Sequence, residues 1–104
     1  AILIEKMLKE KIPLLTICAG TQRLNVGAQA GGTLRQHVEG FSKPADGTYP
    51  THRVGITRSS KFHEITGGDV YETAATHNHQ FVDKVRAGFV ANAVTKDGDI
   101  MGIE

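Results

Sequence analysis

The chain of 104 residues has a single cysteine, no tryptophan and only three prolines. One cysteine excludes the internal disulfide framework that holds many small secreted domains together, which suits a reducing compartment, so a cytoplasmic location is expected. No apolar stretch approaches the roughly 20 residues that a membrane-spanning helix needs, and no basic-then-apolar leader opens the sequence. Charge of one sign is missing as well: twelve Lys and Arg stand against eleven Asp and Glu, for a net charge of +1. Charges so balanced and scattered make no strong field, so neither nucleic acid nor membrane is expected as a partner. With 39% hydrophobic residues, an ordinary globular domain, or part of one, is left.

The lone cysteine stands at the sharpest change of character in the chain. The apolar run Ile12-Pro13-Leu14-Leu15-Thr16-Ile17 reads as a buried strand that ends at Cys18. The small residues Ala19-Gly20 follow, and the stretch from Thr21 to Ala30 reads as a helix running to about Gln29 and stopped by Gly31-Gly32. A tight strand-to-helix turn exposes the side chain it carries, and the backbone N–H groups at the helix start can receive an oxyanion. Helix starts also favour thiolates over thiols. The plain alternative for Cys18 is a small buried hydrophobe with no chemistry.

Around this point the pattern predicts a helix over about 2–11, with Ile2, Leu3, Ile4, Met7 and Leu8 on its apolar side. No Ser, Thr, Asp or Asn caps it. Gly40 to Thr51 reads as a loop, with the length of a lid or rim segment. Val54 to Thr57 reads as a strand, Lys61 to Ile65 as a short helical turn, and Val70 to Ala75 as a further strand. Runs at 89–94 and 100–103, joined through Asp97-Gly98, give the clearest hairpin signal. Helices lead and strands follow, which suggests an α/β core with added antiparallel pairs. Both ends read as cut rather than finished, so 1–104 is expected to be part of a single domain.

The segment Ile17-Cys18-Ala19-Gly20-Thr21-Gln22-Arg23-Leu24-Asn25-Val26, followed by Gly31-Gly32-Thr33-Leu34-Arg35-Gln36, resembles the elbow of class I glutamine amidotransferases. Within these it is most similar to the γ-glutamyl hydrolase branch, peptidase family C26, typified by γ-glutamyl-γ-aminobutyrate hydrolase. His52-Arg53-Val54 matches a histidine-led strand of that family. Thr76-His77-Asn78-His79-Gln80-Phe81-Val82 is similar to its Ser-x-His-His-Gln segment, with Asn78 replacing the first family histidine. The run from Asp97 to Glu104 resembles its terminal hairpin. The resemblance implies a three-layer, flavodoxin-like α/β sheet, here incomplete at both ends.

It also implies a chemistry: hydrolysis of γ-glutamyl amide bonds through a glutamyl thioester, without a cofactor. Cys18 would supply the nucleophile and the Ala19 N–H an oxyanion donor. Gln22, His79 and Gln80 would bind the small-molecule γ-glutamyl substrate. Thr16 departs from the family's Gly two residues before the nucleophile, and Ala19 from its usual Arg. The family's general base, in a His-Pro-Glu motif, and its second oxyanion donor map onto no residue of this sequence. Of the histidines, His37 and His63 read as surface residues and His52 as structural. His77 and His79 share a face if extended. With no carboxylate or cysteine beside that pair, no metal is assigned. The alternative to an enzyme is a truncated, inactive relative that serves as a structural or interaction remnant. In either case self-association, or pairing with a complementary chain, is expected of its apolar faces.

Overall fold

The structure, a computed structural model, describes residues 2–27, 30–37, 51–74 and 80–104. All but the last residue of the expected loop, together with His77 and His79, lies outside them. Helix α1 spans Ile2–Lys9, with Glu5 in its first turn and Lys6 and Lys9 in its last, the order that suits the helix dipole. Lys11 then takes a left-handed φ of 56°. Its N–H donates to Leu8 O at 3.2 Å and that of Ile12 to Met7 O at 2.9 Å. This is the paired closure of a Schellman turn, and Pro13 prevents the helix from resuming.

Residues 12–17 correct the expectation of a buried strand. They join no ladder with the described strands, and Leu15 and Ile17 are 85% and 75% exposed. A strand is stabilised by partners at its two edges, and no described strand lies at either. The run therefore links α1 to the next helix with only part of its apolar surface covered. Helix α2 is also shorter than the sequence suggests, spanning Ala19–Asn25 and stopping well before Gly31-Gly32.

Among the described residues six strands follow: β1 Leu34–Arg35, β2 Thr51–Ile56, β3 Val70–Ala74, β4 Phe81–Val82, β5 Ala91–Thr95 and β6 Ile100–Ile103. They form one sheet in the order β1-β4-β6-β5-β2-β3, with every described pairing antiparallel. Helices and sheet together make a mixed α/β unit, and these ladders are the antiparallel pairs the sequence predicts. Val54, Ile56 and Ala93 bury their side chains at the sheet centre, with Met101 against them. The β5–β6 hairpin turns as expected at Asp97-Gly98, where Gly98 takes φ 89° and donates to Thr95 O at 3.0 Å.

Helix α3, Lys61–Thr66, is capped by Ser60, whose hydroxyl accepts from His63 N, and ends on left-handed Gly67. Its free first-turn amides meet a carboxylate: Lys61 N and Phe62 N donate to Glu104 at 2.6 and 3.0 Å. Glu104 thereby ties α3 to the end of β6.

Candidate active site

Cys18 is the N-cap of α2, with φ 53° and ψ −115°. These angles lie close to the first central position of a type II′ turn, roughly 60° and −120°, the mirror image of type II. Glycine ordinarily takes that position. The turn is closed by Gly20 N donating to Ile17 O at 3.0 Å, and the first helical bond runs from Gln22 N to Cys18 O at 3.2 Å. The side chain of Cys18 is exposed at the corner. Ala19 opens the helix, so its N–H belongs to the first-turn amides that have no intrahelical acceptor.

Thr16, which replaces a glycine of the family pattern, fits beneath the corner without displacing it. Its hydroxyl pairs with that of Thr21 at 2.9 Å, and a Cβ on Gly20 would stand 3.6 Å from the Thr16 Cβ. The β-branched residue thus contributes a hydroxyl link between the approach to the elbow and its helix.

Beside the thiol lies a cleft of about 70 Å³, walled on one side by Cys18, Thr21 and Gln22 and on the other by Gln80, Phe81 and Val82. Gln22 spans it: its Nε2 donates to Gln80 O at 2.9 Å. The Gln80 side chain in turn donates from Nε2 to Gln36 Oε1 at 2.9 Å. A larger hollow of about 320 Å³ shares Thr21 and Met101 with this cleft but has no thiol on its wall.

The structure thus brings Cys18, Gln22 and Gln80 together around one cleft, with Ala19 next to the thiol in the turn. His79 lies outside the described residues. Thr21, Phe81 and Val82 join the wall without having been singled out from the sequence. Gln36, which closes the Gly-Gly-Thr-Leu-Arg-Gln stretch that carries the resemblance, meets that wall only through its bond from the Gln80 side chain.

No histidine among the described residues lines the cleft. His63, on α3, is 2.7 Å from Asp69, which also meets Arg58 at 2.8 Å. The Arg58 guanidinium, and after it His63, hold the Asp69 carboxyl below its ordinary range. His37 is exposed and His52 lies within β2.

At the far end of α2, Asn25 is completely buried. Its Nδ2 donates to Thr33 O at 3.0 Å and Lys84 O at 2.9 Å, and its Oδ1 accepts from Arg86 N at 2.9 Å. The Arg86 guanidinium donates to Leu24 O at 2.7 Å and reaches Glu5 on α1 at 3.0 Å. That hydrogen bond lowers the Glu5 carboxyl from its ordinary value. One buried amide and one largely buried guanidinium therefore join both helices to the segment that follows β4.

All of residues 1–104 match the peptidase C26 family model. The chain is 34% identical over 107 residues to a Mycobacterium tuberculosis protein and 36% identical over 110 residues to one from Schizosaccharomyces pombe, both bearing the name "Putative glutamine amidotransferase". Each alignment covers 98% of this chain, but only 33% and 41% of those proteins. In fold it is similar to the crystal structure of a glutamine amidotransferase from Thermotoga maritima, with a TM-score of 0.73 at 20% identity. That match covers 98% of this chain and 40% of that one. The chain thus spans less than half the length of each of these relatives, and over that span it shares the flavodoxin-like class I fold of the Thermotoga maritima structure.

Proposed function

The chain belongs to the peptidase C26 family, and on that footing we propose that it serves cysteine-dependent hydrolysis of γ-glutamyl amide bonds. The observation that carries this reading is the backbone of Cys18: an exposed thiol in a conformation that ordinarily belongs to glycine, at the start of a helix. Strain of that kind is held at a site only where the surrounding structure enforces it.

In the proposed reaction the Cys18 thiolate adds to the γ-carbonyl carbon, and the Ala19 N–H donates to the oxyanion that forms. The C–N bond breaks and the amine, or ammonia, leaves with a proton. Water then cleaves the glutamyl thioester, releasing the free γ-carboxylate and restoring the thiol. Gln22 and Gln80 shape the cleft for the glutamyl chain, and His79 is retained from the resemblance as a further substrate-binding residue. The group that moves the protons is not assigned to a residue of this stretch.

The test is covalent capture. A glutamine-derived chloroketone presented to the folded protein is expected to add once, at Cys18, as read by intact mass and peptide mapping. It should do so faster than iodoacetamide, because the cleft holds the glutamyl portion near the sulfur. Cys18→Ala should abolish the adduct. Labelling that needs denaturant, or that shows no preference for the glutamyl reagent, would refute the reading.

A second reading is favoured by one observation. Leu15 and Ile17 are strongly exposed, and so are Ile2 and Leu3 on α1, at 91% and 67%. A surface of that kind favours burial against another chain. We therefore keep an interaction role, through self-association or a complementary chain, as the alternative.

A further inference from the structure

The proposed reaction uses residues at the start of α2, whereas the most completely buried polar side chain of the helix lies at its end. We infer that Asn25 is a positioning residue for the Cys18 cleft: its carboxamide sets the distance between the elbow helix and the β4 wall. The inference rests on the reading of Cys18 given above and adds to it a residue that touches neither thiol nor substrate.

The geometry is specific. Thr33 N donates to Lys84 O and Asp83 N donates to Thr33 O, both at 2.9 Å, so the β1–β4 pairing continues past the strands to these residues. Asn25 Nδ2 inserts at this point, giving one hydrogen to each of the same two carbonyls, while Oδ1 takes the N–H of Arg86. Both amide hydrogens are used and the oxygen is bonded once, and the side chain has no contact with water. Two to four residues before Lys84 come Gln80, Phe81 and Val82, the wall opposite the thiol. A shift at Asn25 is therefore passed directly to that wall.

Two further details agree. Gly32 packs its α-carbon against the carbonyl and carboxamide of Asn25, where a Cβ would overlap both. The amide of Asn25 is thus gripped from the side as well as bonded at its tip. On the other face, Arg86 holds Leu24 O and Glu5, which fixes the helix end without using the Asn25 amide.

Chemistry says which substitution separates position from bulk. Asn25→Asp keeps the shape and the acceptor for Arg86 N, but it replaces two donors with a carboxylate oxygen facing two carbonyls. The wall must then move away from the helix. Arg86→Lys weakens the same region while leaving the three Asn25 bonds in place, because the bond from residue 86 comes from its backbone.

The experiment measures two rate constants on each folded variant: Cys18 with iodoacetamide, which needs only access, and Cys18 with the glutamine-derived chloroketone, which also needs the cleft. Asn25→Asp is expected to lower the chloroketone-to-iodoacetamide ratio by about 10- to 100-fold, the scale of an ångström-sized misplacement. Arg86→Lys is expected to leave the ratio unchanged while lowering the urea midpoint. If Asn25→Asp does not fold, Thr33→Val reads the same joint from its exposed side, where the Thr33 hydroxyl accepts from Lys84 N at 3.1 Å. A lowered ratio is expected there too. An unchanged ratio in Asn25→Asp, or in Thr33→Val where that variant stands in for it, overturns the positioning role. So does an equal fall in Arg86→Lys. A wild-type protein with no preference between the reagents overturns the proposed function itself, and the inference with it.

Discussion

Replacing Cys18 with glycine should make the protein more stable. The residue holds φ 53° and ψ −115°, a region that L side chains avoid and glycine enters freely. A non-glycine residue in such a region costs about 1–3 kcal/mol. Glycine brings back an entropic penalty of about 0.5–1 kcal/mol from the greater freedom of its unfolded chain. The side chain is exposed, so little packing is lost with it. The difference leaves a net stabilisation of about 1 kcal/mol for Cys18→Gly, or about fivefold in the unfolding equilibrium. Cys18→Ala is the comparator, because it removes the sulfur but keeps the Cβ that clashes; its stability should stay near that of the parent. Urea unfolding at constant slope gives both values from the midpoints. A Cys18→Gly protein no more stable than Cys18→Ala would show that the elbow is not under strain, and would remove the main support for Cys18 as a poised nucleophile.

The remaining predictions concern acid and association. The Glu104 carboxyl is pushed up by burial, but more strongly down by the donors Lys61 N, Asn92 Nδ2 and Phe62 N, so that it lies below its ordinary 4.5. A lowered carboxyl contributes stability that is present above the ordinary value and lost as pH falls through the folded one. The urea midpoint should therefore fall as pH drops below about 4.5, and Glu104→Gln should flatten part of that dependence, with the residue of it left to Asp69 and Glu5. In sedimentation, Leu15→Lys should shift any self-association toward the monomer, since it places a charge in the exposed apolar run; unchanged association would sink the interaction reading.

The parts of this fold that could be read from sequence are those decided by neighbours along the chain. Asp97-Gly98 dictates a turn through the freedom of one glycine at φ 89°, and α3 carries its own cap in Ser60 and its own stop in Gly67. Cys18 stood out because an apolar run gives way to Ala-Gly within two residues. The run before it was misread for a physical reason. Apolar composition records that residues 12–17 favour burial, but burial needs partner strands, and no described strand provides them. Strands β1 and β4 are two residues each, too short to show any alternation. Asn25 stands in the segment that carries the resemblance, but an asparagine inside a helical pattern running to about Gln29 gives no sign of its burial. Its burial depends on carbonyls and amides brought in from 8, 59 and 61 positions away.

Those separations have a consequence for how the site comes into being on the ribosome. Synthesis proceeds from the amino end at about 5–20 residues per second, so residues 84–86 are made several seconds after Asn25. Until they are, only Gly32 and Thr33 O are at hand for the far end of the elbow helix, and the bonds of Asn25 to Lys84 O and Arg86 N are unmade. On the proposed reading of Cys18, the cleft beside the thiol is complete only when the segment after β4 closes on Asn25, so the thiol and the wall opposite it come together late.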